Sequence, residues 1–260
     1  MYTISATHNI KKFRIFMHYI KRRKKFCNNL FIWEYTVQFT NYVSPFPNLS
    51  VLQPNLEFFR LNKVKGVFSQ GSGETSGEFS ALRGYLLAKL AWNTQADVKS
   101  LTEDFLTGYY GKAAPFIQQY IKLLDSALKA SGQRLDIYGN PVSVHNTYLS
   151  PALLDQYGIL FDQAENAVED DTVSLNHVQT ARLPVEFAVL QQSRFYGIEQ
   201  HGAFLRSENG QWEGRPSIKN KLKFFVQTAN TSGITEISEG GLSPDQYAKE
   251  WEQIFLAGPK

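Results

Sequence analysis

The sequence predicts an α/β beginning followed by a mostly α-helical remainder, and three observations lead there. Two short apolar segments, LFIWEY at residues 30–35 and VKGVFSQ at residues 64–70, have the length and the β-former content of strands. A proline-marked loop and a short helical pattern lie between them, the connection that a parallel strand–crossover–strand unit needs. After Trp92, apolar residues recur at helical spacing between Pro, Gly and capping residues.

Each element has its own signal. Leu30, Phe31 and Ile32 are contiguous, which suits a strand buried on both faces of a parallel sheet. Pro45 and Pro47, with Asn41, Ser44 and Asn48, make the following stretch a loop. A helix from about Gln53 to Leu61, with Leu56 and Phe59 inward, returns the chain to a second strand at Val64–Ser69. Gly66, Gly71, Gly73 and Gly77 punctuate that strand and its exit and allow close backbone approach. A helix over about Gly77–Asn93 places Leu82, Tyr85, Leu86 and Leu90 on one stripe.

The helical remainder follows the same logic. Thr94 is read as the cap of the next helix, with Asp97 in its first turn, Val98, Leu101 and Phe105 inward, and Gly108 as its stop. Pro115 opens another, with Ile117, Tyr120, Ile121, Leu124 and Leu128 inward and Gly132 beyond its end. Arg134–His145 is a non-helical connection. Ser150–Pro151 starts a helix with the stripe Leu154, Tyr157, Phe161 and Ala164. Asp170 to about Tyr196 reads as one long helix kinked at Pro184. A glycine-rich gap spans Gly197–Gly214, and Pro216 and Ser243–Pro244 begin the last two helices. The division expected is a basic arm at residues 1–26, βα units at 27–93, and a helical domain at 94–260.

Charge separates the arm from the body. The first 25 residues hold eight Lys or Arg and no acid, so the remainder carries 19 basic against 24 acidic side chains and the overall +3 comes from the arm. A mildly acidic body argues against nucleic acid as a partner. No apolar run reaches 18 residues, so no membrane span is expected. The arm lacks the apolar core and small-residue cleavage site of a signal peptide. It reads as a basic amphipathic helix touching membrane or RNA, as a poorly ordered arm, or as a start foreign to the fold, the last being preferred because a strand begins abruptly after it. One cysteine, Cys27, excludes an internal disulfide, and five scattered histidines contain no HxH or HxxxH, so neither metal nor cofactor is expected. The oligomeric state is not legible.

The candidate site lies where the two strands end. Trp33, Glu34 and Tyr35 close the first strand; a Trp face stacks on the apolar side of a sugar ring and a carboxylate accepts bonds from vicinal hydroxyls. Strand alternation sends Trp33 and Tyr35 to one side and Glu34 to the other, and the plainer alternative is a core Trp and Tyr flanking a solvated Glu. Gln70 and Glu74 follow the second strand. Glu78 stands at a helix start, where a carboxylate favours the helix dipole. Two carboxylates about 5–9 Å apart could cleave a glycoside, but no residue here is assigned a catalytic role. Trp92 is read as packing and Cys27 as buried.

The order CNNLFIWEYTVQFTNYVSPFPN, VKGVFSQGSGETSGEFSALRGYLLAKLAWN and DFLTGYYGKAAPFIQQY resembles the bacterial domain of unknown function 4838, from Cys27 to about Ser131. Its marks are Trp33–Tyr35, the Pro45/Pro47 loop, Gly66–Gly71, Arg83–Trp92 and Tyr109–Gly111. More distantly, the Arg83, Leu86, Leu87, Leu90, Trp92 pattern resembles the last helix of hexosaminidase and α-glucuronidase barrels. The resemblance implies a glycoside-hydrolase-like protein, secreted or periplasmic in intact relatives, with a (β/α)8 TIM barrel. Two βα units cannot close such a barrel. The expectation is therefore a C-terminal portion: the last barrel strands and an α-helical domain, binding a poly- or oligosaccharide through Trp33, Glu34, Tyr35, Gln70 and Glu74 and inactive alone. The alternatives are a non-catalytic carbohydrate-binding module and a scaffold or interaction module using the helices and the basic arm.

Overall fold

The computed structural model describes residues 18–22, 29–73, 75–197 and 200–259. β1 (Leu30–Tyr35) and β2 (Val64–Gln70) run parallel, with Ile32 opposite Val67 and Tyr35 opposite Gln70. α1 (Leu49–Leu61) is the crossover between them. Helices follow at α2 (Ser80–Trp92), α3 (Val98–Tyr110), α4 (Ala114–Ser131), α5 (Pro151–Ala167), α6 (Thr172–Tyr196), α7 (Pro216–Thr231) and α8 (Pro244–Ala257). The glycine-rich gap holds an antiparallel hairpin, β3 (Phe204–Arg206) and β4 (Trp212–Gly214), that the sequence reading left as a gap. The described chain is thus mostly helical, with two sheets of two strands each. Of the basic arm, residues 18–22 are helical and Ile20 is buried in the main core, while Cys27 and the rest of the arm lie outside the described residues.

Several boundaries differ from expectation for local reasons. α1 begins at Leu49, ahead of the expected start near Gln53, and Pro54 stands inside the helix. Asp97, not Thr94, caps α3: its carboxylate accepts from the Lys99 N–H at 3.0 Å and the Ser100 N–H at 3.3 Å. α3 runs through Gly108 to Tyr110 and stops at Gly111, whose positive φ of 53° a residue with a side chain rarely adopts. Its buried residues are Leu106 and Tyr110; Val98, Leu101 and Phe105 are half-buried at its flank. Gly132 (φ 63°) ends α4 as anticipated, and Ser243 with Gln246 forms a capping box on α8.

β1 is buried on one face only. Ile32 and Glu34 point inward, whereas Phe31 is 71% exposed, Trp33 44% and, across on β2, Phe68 55%. The expectation of two buried faces fails because helices cover only one side of this sheet, leaving the apolar run open on the other. Gly66 lies opposite Phe31, and a Cβ there would meet the Phe31 ring at 2.7 Å, so glycine makes room for that ring.

The loop after β1 is the most buried non-helical stretch of the fold: nearly every residue from Thr36 to Asn48 is buried. A buried loop must satisfy its backbone, and this one does so against three distant segments. The Phe39 N–H donates to the Ile137 carbonyl at 2.7 Å, the Tyr42 N–H to the Ile237 carbonyl at 2.8 Å, and the Glu78 N–H to the Tyr42 carbonyl at 2.9 Å. Gly77 permits the last approach, since a Cβ there would sit 2.8 Å from the Tyr42 carbonyl oxygen.

Two apolar clusters form the interior. The larger joins Ile32 with residues of α1–α5, among them Leu86, Tyr120 and Phe161, and is continuous across residue 93. The smaller joins Phe204, Phe225, Tyr247 and Trp251. α6 belongs to both, presenting Val178 and Val185 to one and Leu183, Phe187 and Leu190 to the other, which is why it is apolar around most of its circumference. It continues as a helix through Pro184.

Candidate functional site

The parallel register places Trp33 and Gln70 on the same outward face, where the Trp33 indole Nε1 donates to the Gln70 Oε1 at 2.8 Å. Phe68 meets the indole edge-on with ring centroids 5.0 Å apart, and Tyr35 lies 6.5 Å away. Tyr35 is in turn braced edge-on by the buried Phe39 at 5.2 Å. The result is an aromatic shelf whose indole orientation is set by a hydrogen bond and whose face is open.

Glu34 does not join it. The alternation of β1 turns its side chain into the interior, 3% exposed, where it accepts a 2.6 Å bond from the Ser69 hydroxyl. Burial pushes its carboxyl above the ordinary value, and the Ser69 bond only partly opposes that. Of the five residues expected to bind substrate, three share the outward face, Glu34 lies behind it, and Glu74 lies outside the described residues. Glu78 is also withdrawn from solvent: it is buried against Arg83, whose Nη2 lies 2.5 Å from Glu78 Oε2. Burial raises its carboxyl as well, with the Arg83 guanidinium and the Phe46 N–H pulling the other way.

That pair holds the strand ends in place. Arg83 Nη1 also donates to the Glu78 carbonyl, and Arg83 Nε to Asn48 Oδ1 at 3.2 Å. Asn48 Nδ2 donates to the Thr36 carbonyl at 2.8 Å, and the Thr36 N–H and hydroxyl both donate to the Gln70 carbonyl, at 2.9 and 3.0 Å. A single chain of polar contacts therefore runs from α2 through the buried loop to the ends of β1 and β2. Trp92, read from sequence as packing, is instead 94% exposed at the end of α2.

Residues 3–122 match the family described as Domain of unknown function (DUF4838). The DUF4838 match supports placing this stretch in that family, and it takes in the shelf, the buried loop and the Glu78–Arg83 pair. It ends within α4, so α5–α8 lie beyond it. Searches of curated proteins and of solved structures returned no match.

A feature with no counterpart in the sequence signals is a cleft of about 510 Å³ among α2, α3, α6 and α7, lined by Tyr109, His177 and Thr180 among others. Its residues come from four helices, and a lone histidine carries no spacing signal. Among the described residues no group of three His, Cys, Asp or Glu is placed to hold a metal, and no helix is long and apolar enough to cross a membrane.

Proposed function

We propose that this chain is part of a glycoside-hydrolase-like protein and binds a poly- or oligosaccharide on the outward face of β1 and β2 without hydrolysing it by itself. The observation that carries the reading is the Trp33 indole, exposed yet held by Gln70 and flanked by Tyr35 and Phe68. An aromatic face ordered before binding loses little side-chain entropy when a sugar ring stacks on it, and Gln70 and Tyr35 add polar atoms at its edge. β1, α1 and β2 are taken as the last part of a (β/α)8 barrel, with the C-terminal strand ends that carry Trp33, Tyr35 and Gln70 at its sugar-facing end.

Hydrolysis needs two carboxyl groups flanking one bond. Glu34 faces away from the shelf and Glu78 is occupied by Arg83, which supports binding over cleavage for the described part of the site.

The test is a glycan array followed by calorimetry with the selected glycan, using the full chain and its Trp33→Ala variant. Binding should weaken about tenfold or more on loss of the indole, with no reducing sugar released. A Trp33→Ala variant that binds every array-selected glycan as tightly as the wild type, or steady release of reducing ends by the purified chain, would refute the proposal.

A further inference from the structure

We infer that the cleft among α2, α3, α6 and α7 is a second binding site, specific for a small neutral saccharide. The assignment stands on the cleft alone and holds whether or not the Trp33 shelf binds sugar. Its first ground is charge. At about 510 Å³ the cleft is of ligand size, and no Asp, Glu, Lys or Arg lines it. Hydroxyls and amides do instead, among them Asn176, Thr180, Gln227 and Ser232. Four other cavities, of 340, 920, 180 and 540 Å³, each include at least one charged side chain. A cleft without charge offers an ionic ligand nothing to offset its desolvation, whereas a neutral polyol loses only hydrogen bonds to water that hydroxyls and amides can replace.

The second ground is the direction of the hydrogen bonds. His177 Nδ1 lies 2.7 Å from the Tyr109 carbonyl, an acceptor only, so Nδ1 carries a proton, and the tautomer this selects presents Nε2 as an acceptor. The imidazole is stacked on the Tyr109 ring, with centroids 3.7 Å apart and planes 9° from parallel, which with the Nδ1 bond sets its orientation. Nε2 makes no hydrogen bond among the described residues, and His177 lines the cleft. Thr180 donates its hydroxyl to the Asn176 carbonyl at 2.8 Å; its 2.6 Å contact with Ser232 is therefore one in which Ser232 donates. Both hydroxyl protons are used within the wall, and the Ser232 oxygen is left with lone pairs. Two fixed acceptors beside amides that both donate and accept call for a ligand rich in hydroxyl groups.

The experiment titrates the full chain with maltose, cellobiose, lactose and N-acetylglucosamine, and with glucuronic acid and glucosamine as anionic and cationic counterparts. Calorimetry and the ¹⁵N side-chain resonances of His177 report binding. Gln227, exposed on α7, is changed to Trp to fill the cleft without touching the core, and Trp33→Ala separates this site from the shelf. A neutral saccharide should shift the His177 resonances saturably, and the charged sugars should bind about tenfold more weakly or not at all, the effect of one or more unmatched hydrogen bonds. Gln227→Trp should abolish the shift and Trp33→Ala should leave it intact. A His177 spectrum unmoved by every neutral saccharide, binding that survives Gln227→Trp, or equal binding of the charged sugars would each overturn the assignment. Failure of the shelf reading would show separately, as array binding by the Gln227→Trp variant that is indifferent to a further Trp33→Ala change.

Discussion

Changing Arg83 to methionine should remove about 3–5 kcal/mol of folding stability, the cost of leaving a buried charge without its partner. The structure says why the cost is large. Both side chains of the Glu78–Arg83 pair are only 4% exposed, so no solvent replaces the lost guanidinium. Three acceptors lose a donor at once: Glu78 Oε2, the Glu78 carbonyl and Asn48 Oδ1. Methionine keeps the stem's volume, so cavity formation adds little. With a urea slope of about 3 kcal/mol/M, the midpoint should fall by about 1–2 M, a large share of the roughly 5–15 kcal/mol that holds a domain folded. The pH dependence carries a second signature. Burial already raises the Glu78 carboxyl and Arg83 restrains it; without Arg83 the folded-state value rises further above the unfolded one. The native state then binds a proton more tightly than the unfolded chain, so the deficit against wild type should be smallest in acid and should grow as pH climbs from 4.5. Glu78→Gln combined with Arg83→Met removes both charges and should recover about 2 kcal/mol of the loss. Equilibrium urea unfolding of the wild type, the two single variants and the double variant measures all of this. An Arg83→Met variant within about 1 kcal/mol of wild type, or a double variant as costly as the two singles together, would show that the buried pair is not what ties α2 to the strand ends.

Three further outcomes follow from the same structure. Glu34, raised by burial, makes the wild type lose stability as pH rises above 4.5, so Glu34→Gln should be more stable than wild type at neutral pH and lose that advantage in acid; urea midpoints at a series of pH values check it. Gly77→Ala forces a Cβ to 2.8 Å from the Tyr42 carbonyl oxygen and should cost about 1–3 kcal/mol, whereas Gly84→Ala, on α2 with nothing within 4 Å, should gain about 0.5–1 kcal/mol; thermal melts of the two variants should shift in opposite directions. Glu57 is held down to about 2 by bonds from Arg60 and Thr94, so its contribution is complete above 4.5 and is lost as pH falls toward 2; Glu57→Gln should flatten the acid limb of a melting-temperature profile between those values.

The strands and most helices were legible because their signals are local. Val64–Gln70 and Leu30–Tyr35 are short β-rich runs, Pro115, Pro151, Pro216 and Pro244 each sit in a helix's first turn, and Gly132 takes the left-handed turn that ends α4. The parallel pairing of Ile32 with Val67 followed from a crossover of the right length. Where two local signals competed, the reading failed: Asp97 outranked Thr94 as a cap, and Gly111 rather than Gly108 ended α3. The β3–β4 hairpin was missed because each strand is three residues long, too short for alternation to show. Trp92 was misread because helical spacing places it near the apolar stripe, while its position on the last turn leaves nothing to cover it.

By itself the sequence determined the order of elements, the parallel βα beginning and the opposite facing of Trp33 and Glu34, since all of these rest on periodicity and on the chirality of short connections. Tertiary structure alone decided that the loop from Thr36 to Asn48 is buried, that Glu78 finds Arg83, and that His177, Tyr109, Thr180 and Ser232 meet around one uncharged cleft. Those contacts join residues far apart in the chain. They depend on how helices pack against one another, and no pattern within a single helix encodes which neighbour its polar face will meet.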